Sequence, residues 1–197
     1  MTIDNKNIVI TSAVRTAIGT FRGSLKDMQA KDLGALVTKA AVKKSNLNAS
    51  DVDEVIMGQV LTGATGQNPA RQAAMQAGIP IEKTAYVINQ VCGSGLRSVA
   101  AGYQAIKSND SKIIIAGGQE SMTNAPQAIY FQNGKKLNKS NLVDTMIKDG
   151  LWDAFNGYHM GVTAENVATK WQISRKDQDD FALSSQRKAE KAQKEKK

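Results

Sequence analysis

Residues 89–98 read Asn-Gln-Val-Cys-Gly-Ser-Gly-Leu-Arg-Ser and hold the only cysteine of the chain. A β-rich run from Thr84 to Gln90 ends there, small residues follow, and a helix is expected over 94–108. That order puts Cys92 on a strand-to-helix turn, beside N–H groups that have no partner inside the helix they open. The helix dipole and those donors favour a thiolate over a thiol. The same donors could hold the oxyanion that forms when a carbonyl is attacked. Gly93 and Gly95 allow a tight backbone path and leave room for a substrate. The arrangement is that of a nucleophile elbow with sulfur in place of oxygen. A free cysteine is more often a small buried hydrophobe, and the residues alone leave both readings open.

The elements that must position this turn follow from periodicity. Ile8–Ile10 reads as a short strand and 15–24 as a Gly- and Thr-rich loop. Leu33, Leu36, Val37, Ala40 and Ala41 recur at the spacing of one helical face. Residues 51–61 run into a second strand. Asn68-Pro69 pairs a good N-cap with a good first helical residue, and Gly78 followed by Pro80 ends that helix. Lys112–Ala116 is a buried-type strand. Strands alternating with helices over the first 120 residues predict an α/β unit with a largely parallel sheet. From Ser98 to Ile106 no residue is charged, so the helix after Cys92 is expected to be buried all round, between layers. Periodicity fades from Asn124 to Tyr158, a long excursion of the kind that usually serves function or interaction. From Thr163 the chain is helical again in two pieces, with Ser174 capping the second.

Composition excludes several classes. The 197 residues are 41% hydrophobic and 22% charged, as in a soluble globular protein. No apolar run of about 18 residues spans a membrane, and 1–6 lead into no secretory signal. One cysteine and one histidine leave no internal disulfide, no multi-Cys metal site and no His-paired zinc site. A reduced, cytoplasmic location is expected. The net charge is +8, and residues 187–197 carry six basic and two acidic side chains. No aromatic interleaves with these lysines, so a nucleic-acid stacking surface is not supported. A solvated helix end is the favoured reading.

The motif around Cys92 resembles the nucleophile motif of the thiolases, of the acetyl-CoA acetyltransferase type. Further similar segments follow in order: Arg15-Thr16-Ala17-Ile18-Gly19, Gly58-Gln59-Val60, 66–71 (GQNPAR), 117–122 (GGQESM), 150–154 (GLWDA) and 159–166 (HMGVTAEN). Together with 174–189 they cover nearly the whole chain.

The resemblance implies a fold of two similar halves stacked as helix, sheet, helix, sheet, helix. This chain would be the first half, with a mixed, largely parallel sheet and a buried helix after the nucleophile, plus part of a loop domain. The boundaries expected are 1–123 for the α/β half and 124–197 for the loop domain. It implies that Cys92 is the nucleophile and carries an acyl-thioester intermediate. It implies that Leu151, His159 and Met160 contact the pantetheine and acyl group, the His-Met pair being similar to the short-chain type. The reaction implied is condensation of two acetyl-CoA to acetoacetyl-CoA, or thiolysis of a 3-ketoacyl-CoA. Coenzyme A thioesters would be substrates, with no tightly bound cofactor and no metal, nucleic-acid or membrane partner. The full-length protein would be a homo-oligomer.

One departure is large. Family members run to roughly double this length, and their second half brings a Gly-His-Pro histidine that activates the thiol and a Cys-x-Gly-Gly-Gly cysteine that moves the α-proton. Neither motif occurs here. Chemistry agrees, since a weakly acidic C–H needs a base and only a nucleophile can be named. Residues 1–197 are therefore expected to be the first half of a thiolase, inactive alone and complete with the rest, with the far face of the uncharged helix exposed where the second half would cover it. The alternative is a truncated relative that binds CoA or pairs with full-length subunits.

Overall fold

Strand β1 (Glu54–Gly58) is central because every residue after its first is buried. In the computed structural model, which describes residues 7–129 and 142–195, β1 pairs in parallel with β2 (Thr84–Ile88) on one side and β3 (Ile114–Gly118) on the other. The order β2-β1-β3 needs two crossovers, and helices supply them: α2 (Pro69–Gln76) and α3 (Ser94–Lys107).

Alternation along β1 sorts the layers. Val55 and Met57 belong to one core cluster with Val42 of α1 (Ala30–Lys44) and with Ala70 and Ala74 of α2. Gly58 faces the other way, against the start of α3. The first 150 residues thus form a helix–sheet–helix unit, distinct from a second unit, Leu151–Lys197. A short antiparallel pair, β4 (Gln127–Ala128) with β5 (Val143–Asp144), completes the first unit. The α/β class and parallel sheet are as expected. Residues 130–141, in the long excursion, lie outside the described residues.

Local chemistry explains the boundaries. Asn68 accepts the Arg71 N–H at 3.1 Å as N-cap of α2, with Pro69 at the first helical position. At the far end Gly78 takes φ +89°, and the Gly78 and Ile79 N–H groups return to the Met75 and Ala74 carbonyls at 3.0 Å each. That is a Schellman closure, which favours glycine. In the second unit, Ser174 and Asp177 form a reciprocal capping box before α5 (Arg175–Lys194), which follows α4 (Met160–Lys170). The basic end of α5 is largely exposed and laced by i,i+4 pairs, including Lys194–Glu190 at 2.6 Å, as a solvated helix requires.

Two expectations need correction. Ile8–Ile10 forms no strand: Val9 is 70% and Ile10 79% exposed, and the segment is tied instead to α1, through Ser12 Oγ donating to the Ala41 carbonyl and Lys44 Nζ to that of Ala13. Apolar residues supply propensity, but a strand also needs a ladder partner, and β2 and β3 pair only with β1. The helix α1 exists, but its buried stripe is Ala30, Gly34, Ala35, Thr38 and Val42, while Leu36 stands exposed. Close approach of α2 selects small residues rather than bulky ones. The sheet covers one face of α3, and the other, which a second half is expected to cover, is open in residues 1–197. Ser94, Ser98 and Gly102 face the sheet, and Leu96, Val99 and Tyr103 remain exposed at 78%, 38% and 53%.

Asp53 ties the start of β1 to that of β3. Its carboxylate accepts the Lys112 and Ile113 N–H groups at 2.8 and 3.1 Å, with Lys83 Nζ at 3.5 Å. The Lys112 bond first, then that of Ile113 and the Lys83 charge, hold its pKa below the ordinary carboxylate value. A depressed folded pKa adds stability that is present above the unfolded value and lost as pH falls through the folded one. Asp53→Asn is therefore expected to flatten the acid limb of a stability-against-pH curve measured by urea denaturation. An acid limb as steep as that of the parent contradicts this.

Candidate active site

The turn between β2 and α3 is built from its own short-range bonds. Val91 sits at φ +47°, a left-handed conformation that costs a β-branched residue about 1–3 kcal/mol. Three contacts hold it there. Asn89 Oδ1 accepts the Val91 N–H at 2.9 Å, the Ser94 hydroxyl donates to the Val91 carbonyl at 2.6 Å, and Ser94 Oγ accepts the Gln90 N–H at 2.8 Å. Ser94 is only 4% exposed. The kink turns Cys92 outward, and it is a free, exposed cysteine. The buried-hydrophobe reading therefore does not hold.

The donors around the sulfur differ from the expectation. The Gly93 and Ser94 N–H groups are bonded to the Gln90 and Val91 carbonyls at 3.0 and 3.1 Å, so these two are spent on the turn and do not await an oxyanion.

Gly58 explains why the turn sits so close to the sheet. A Cβ there would stand 2.5 Å from the Ser94 carbonyl carbon and 2.6 Å from the Gly95 nitrogen. Farther along α3, Ser98 Oγ lies 2.6 Å from the Gly95 carbonyl oxygen and 2.7 Å from that of Gly117. It has one proton for the two acceptors, and it pins the first turn of α3 to β3. The result is an open depression at the carboxyl ends of β1 and β3, lined by Cys92, Val91, Gly95, Gln59, Gly118 and Glu120 among others. Ligands of open α/β sheets bind at that end of the strands.

Ser94→Ala removes the acceptor of one turn N–H and the donor to one carbonyl. A loss of about 1–3 kcal/mol of unfolding free energy is expected, read as a lower urea midpoint at unchanged slope. An unchanged midpoint contradicts the clamp.

Leu151, His159 and Met160 belong to the second unit, apart from that of Cys92. Leu151 ends a π-helical turn, Met146–Leu151. An antiparallel bridge joins Trp152 to His159, so Leu151 and Met160 flank the two sides of one loop's base. Inside it Asp153 accepts the Phe155 and Asn156 N–H groups at 2.8 and 2.9 Å and the Asn156 amide at 2.8 Å, bonds that lower its pKa, the Asn156 side chain foremost. His159 caps α4: its Nδ1 accepts the Gly161 N–H at 3.0 Å, which leaves the neutral ring's proton on Nε2. His159 and Met160 are exposed, and Leu151 is half-buried.

With this geometry in place, comparison with known proteins is decisive. A family model described as the N-terminal domain of thiolase matches residues 8–197. The chain belongs to the thiolase family. Among thiolase relatives it is 57% identical over 192 residues to the acetyl-CoA acetyltransferase of Rhizobium meliloti (98% of this chain, 49% of the relative). It is 59% identical over 186 residues to that of Paracoccus denitrificans (94% and 48%). The acetyl-CoA acetyltransferase of Shinella zoogloeoides is 56% identical over 189 residues (96% and 48%). The chain spans about half the length of these curated relatives. The α/β unit with its parallel sheet agrees with a thiolase fold. No helix of the described residues is long and apolar enough to cross a membrane.

Motif reading gave no role to Ser94, Gly58, Gln59, Gln119 or Glu120. The signal available was polar residues just after two apolar strands, at the ligand-binding end of a parallel sheet.

Proposed function

We propose that the chain supplies the nucleophile of a thiolase-type acyltransferase. The Cys92 thiol gives up its proton, the thiolate attacks the carbonyl of acetyl-CoA, the C–S bond to CoA breaks, and CoA takes that proton and leaves as its thiol. A second acetyl-CoA loses an α-proton to a base. Its carbanion attacks the acetyl group on Cys92, expels the thiolate and gives acetoacetyl-CoA. In reverse, CoA thiolysis cleaves a 3-ketoacyl-CoA. The residue that takes the α-proton is not assigned in these 197 residues, and the resemblance puts it in the half of the relatives' length that they do not span. Leu151, His159 and Met160 contact the pantetheine and acyl group. The thioesters are themselves the reactants, with no tightly bound cofactor. Assembly as a homo-oligomer in the cytoplasm completes the reading, a reducing compartment suiting an exposed free thiol.

The observation that carries it is the exposed Cys92 on a strained turn at the carboxyl end of a parallel sheet. Residues 1–197 folded together with the complementary half of a thiolase should cleave acetoacetyl-CoA in the presence of CoA. A folded assembly without thiolysis overturns the reading. CoA binding without turnover would favour the alternative, a CoA-binding partner of full-length subunits.

A further inference from the structure

Two glutamines that take no part in the turn line the depression with Cys92. Gly58 and Gly118 are register partners, so Gln59 and Gln119 leave the sheet side by side. They are 1% and 6% exposed. Gln119 Nε2 donates to Gln59 Oε1 at 2.8 Å, and Gln59 Nε2 donates to the Leu61 carbonyl at 2.9 Å. Next to them Glu120 Oε2 accepts the Val60 and Leu61 N–H groups at 2.8 and 3.2 Å. Residues 59–61, whose first two line the depression with Cys92, therefore hang from the extension of β3.

The other side of Gln119 is set by α1. Its amide nitrogen is taken by Gln59, so its oxygen faces Gly34, where a Cβ would stand 1.7 Å away. That oxygen is buried and has no hydrogen-bond partner. The missing side chain of Gly34 gives it its space, and the same Cβ would stand 3.2 Å from Ala73 Cβ of α2, a tight contact but a milder one.

We propose that Gln119 is a positioning residue: through Gln59 it fixes the 59–60 wall of the depression that Cys92 also lines, and Gly34 on α1 fixes Gln119. Its catalytic meaning rests on the acyl-transfer reading of Cys92, while its geometry does not.

The test uses the folded 197-residue chain and two thiol probes. Iodoacetamide needs only the sulfur. CoA disulfide must also lay a pantetheine arm along the wall. In Gly34→Ala and in Gln119→Ala the ratio of the two rate constants, CoA disulfide to iodoacetamide, is expected to fall by at least about fivefold, the equivalent of one disrupted buried contact. Thermal melting checks that each variant is folded. In this ratio the double variant should match Gln119→Ala alone, because the new methyl then has no amide to strike and its remaining tight contact, Ala73 Cβ at 3.2 Å on α2, is read by melting; effects that act through one another do not add. Should Gly34→Ala not fold, Gln119→Glu decides in its place: it keeps the shape, removes the donor to Gln59 and should lower the same ratio. Ratios within about twofold of the parent in folded variants, or single effects that multiply in the double variant, overturn the proposal. These rates need no turnover, so an assembly that fails to thiolyse acetoacetyl-CoA would sink the acyltransferase reading and leave the wall intact.

Discussion

Cys92→Ser is expected to abolish acyl transfer, by roughly four to six orders of magnitude in kcat for thiolysis, as loss of a covalent nucleophile does elsewhere. A serine hydroxyl stays protonated near neutral pH, and the turn offers it no base: the neighbouring Ser94 hydroxyl is committed to the Gln90 and Val91 backbone. The fold should hardly notice, since Cys92 is exposed and exposed substitutions stay within about 0.5 kcal/mol. Activity and stability thus separate cleanly. Steady-state thiolysis by residues 1–197 assembled with the complementary half of a thiolase, and a urea titration of the same chain, check both. A serine variant within about tenfold of the parent would remove the sulfur from the mechanism.

Gly58→Ala is expected to do the reverse, acting on the scaffold first. The Cβ meets backbone atoms of Ser94 and Gly95 at 2.5 and 2.6 Å, and backbone cannot swing aside as a side chain can. Either β1 or the start of α3 must move. Overpacking of this kind costs about 1–3 kcal/mol. The larger effect falls on chemistry, because either shift moves Cys92 relative to the strand ends that line its depression. A displacement near 1 Å at a reacting group can cost about a hundredfold in rate. The expected result is a folded variant with a lower urea midpoint and thiolysis reduced about a hundredfold. Parent-like activity in Gly58→Ala would mean that the close contact of β1 with α3 does not place the sulfur.

Much of the fold was legible. Parallel strands at 54–58, 84–88 and 114–118 are apolar runs separated by helical periods. Asn68-Pro69, Gly78 and Ser174 mark helix ends by rules that depend on the backbone alone. What escaped depends on neighbours. The buried face of α1 could not be phased from Leu33, Leu36 and Val37, because α2 packs on Gly34 and Ala35. Ile8–Ile10 has the composition of a strand and no strand beside it. The uncharged stretch of α3 signals a helix between layers; in residues 1–197 the sheet covers one face, and Leu96 and Tyr103 stand on the face expected to meet the second half.

The site divided in the same way. Cys92 stands out as a candidate from its flanks, since glycine and serine after a β-rich run make a turn wherever they occur. Leu151, His159 and Met160 came only through resemblance. Their loop is organised by Asp153 and the Trp152–His159 bridge, which spacing does not reveal. The role of Ser94 was hidden because serine at a helix start looks like any cap, whereas here it clamps Val91. The Gln59–Gln119 pair lies 60 residues apart in sequence, and only the register of β1 with β3 brings it together.

The most direct measurement is a brief reaction of acetyl-CoA with residues 1–197 assembled with the complementary half of a thiolase, quenched in acid, digested and weighed by mass spectrometry. The peptide carrying Cys92 should gain one acetyl group, lose it on addition of CoA, and gain none in Cys92→Ser. An active assembly whose acetyl group sits on another residue, or on none, would contradict the assignment of Cys92 as the acyl carrier.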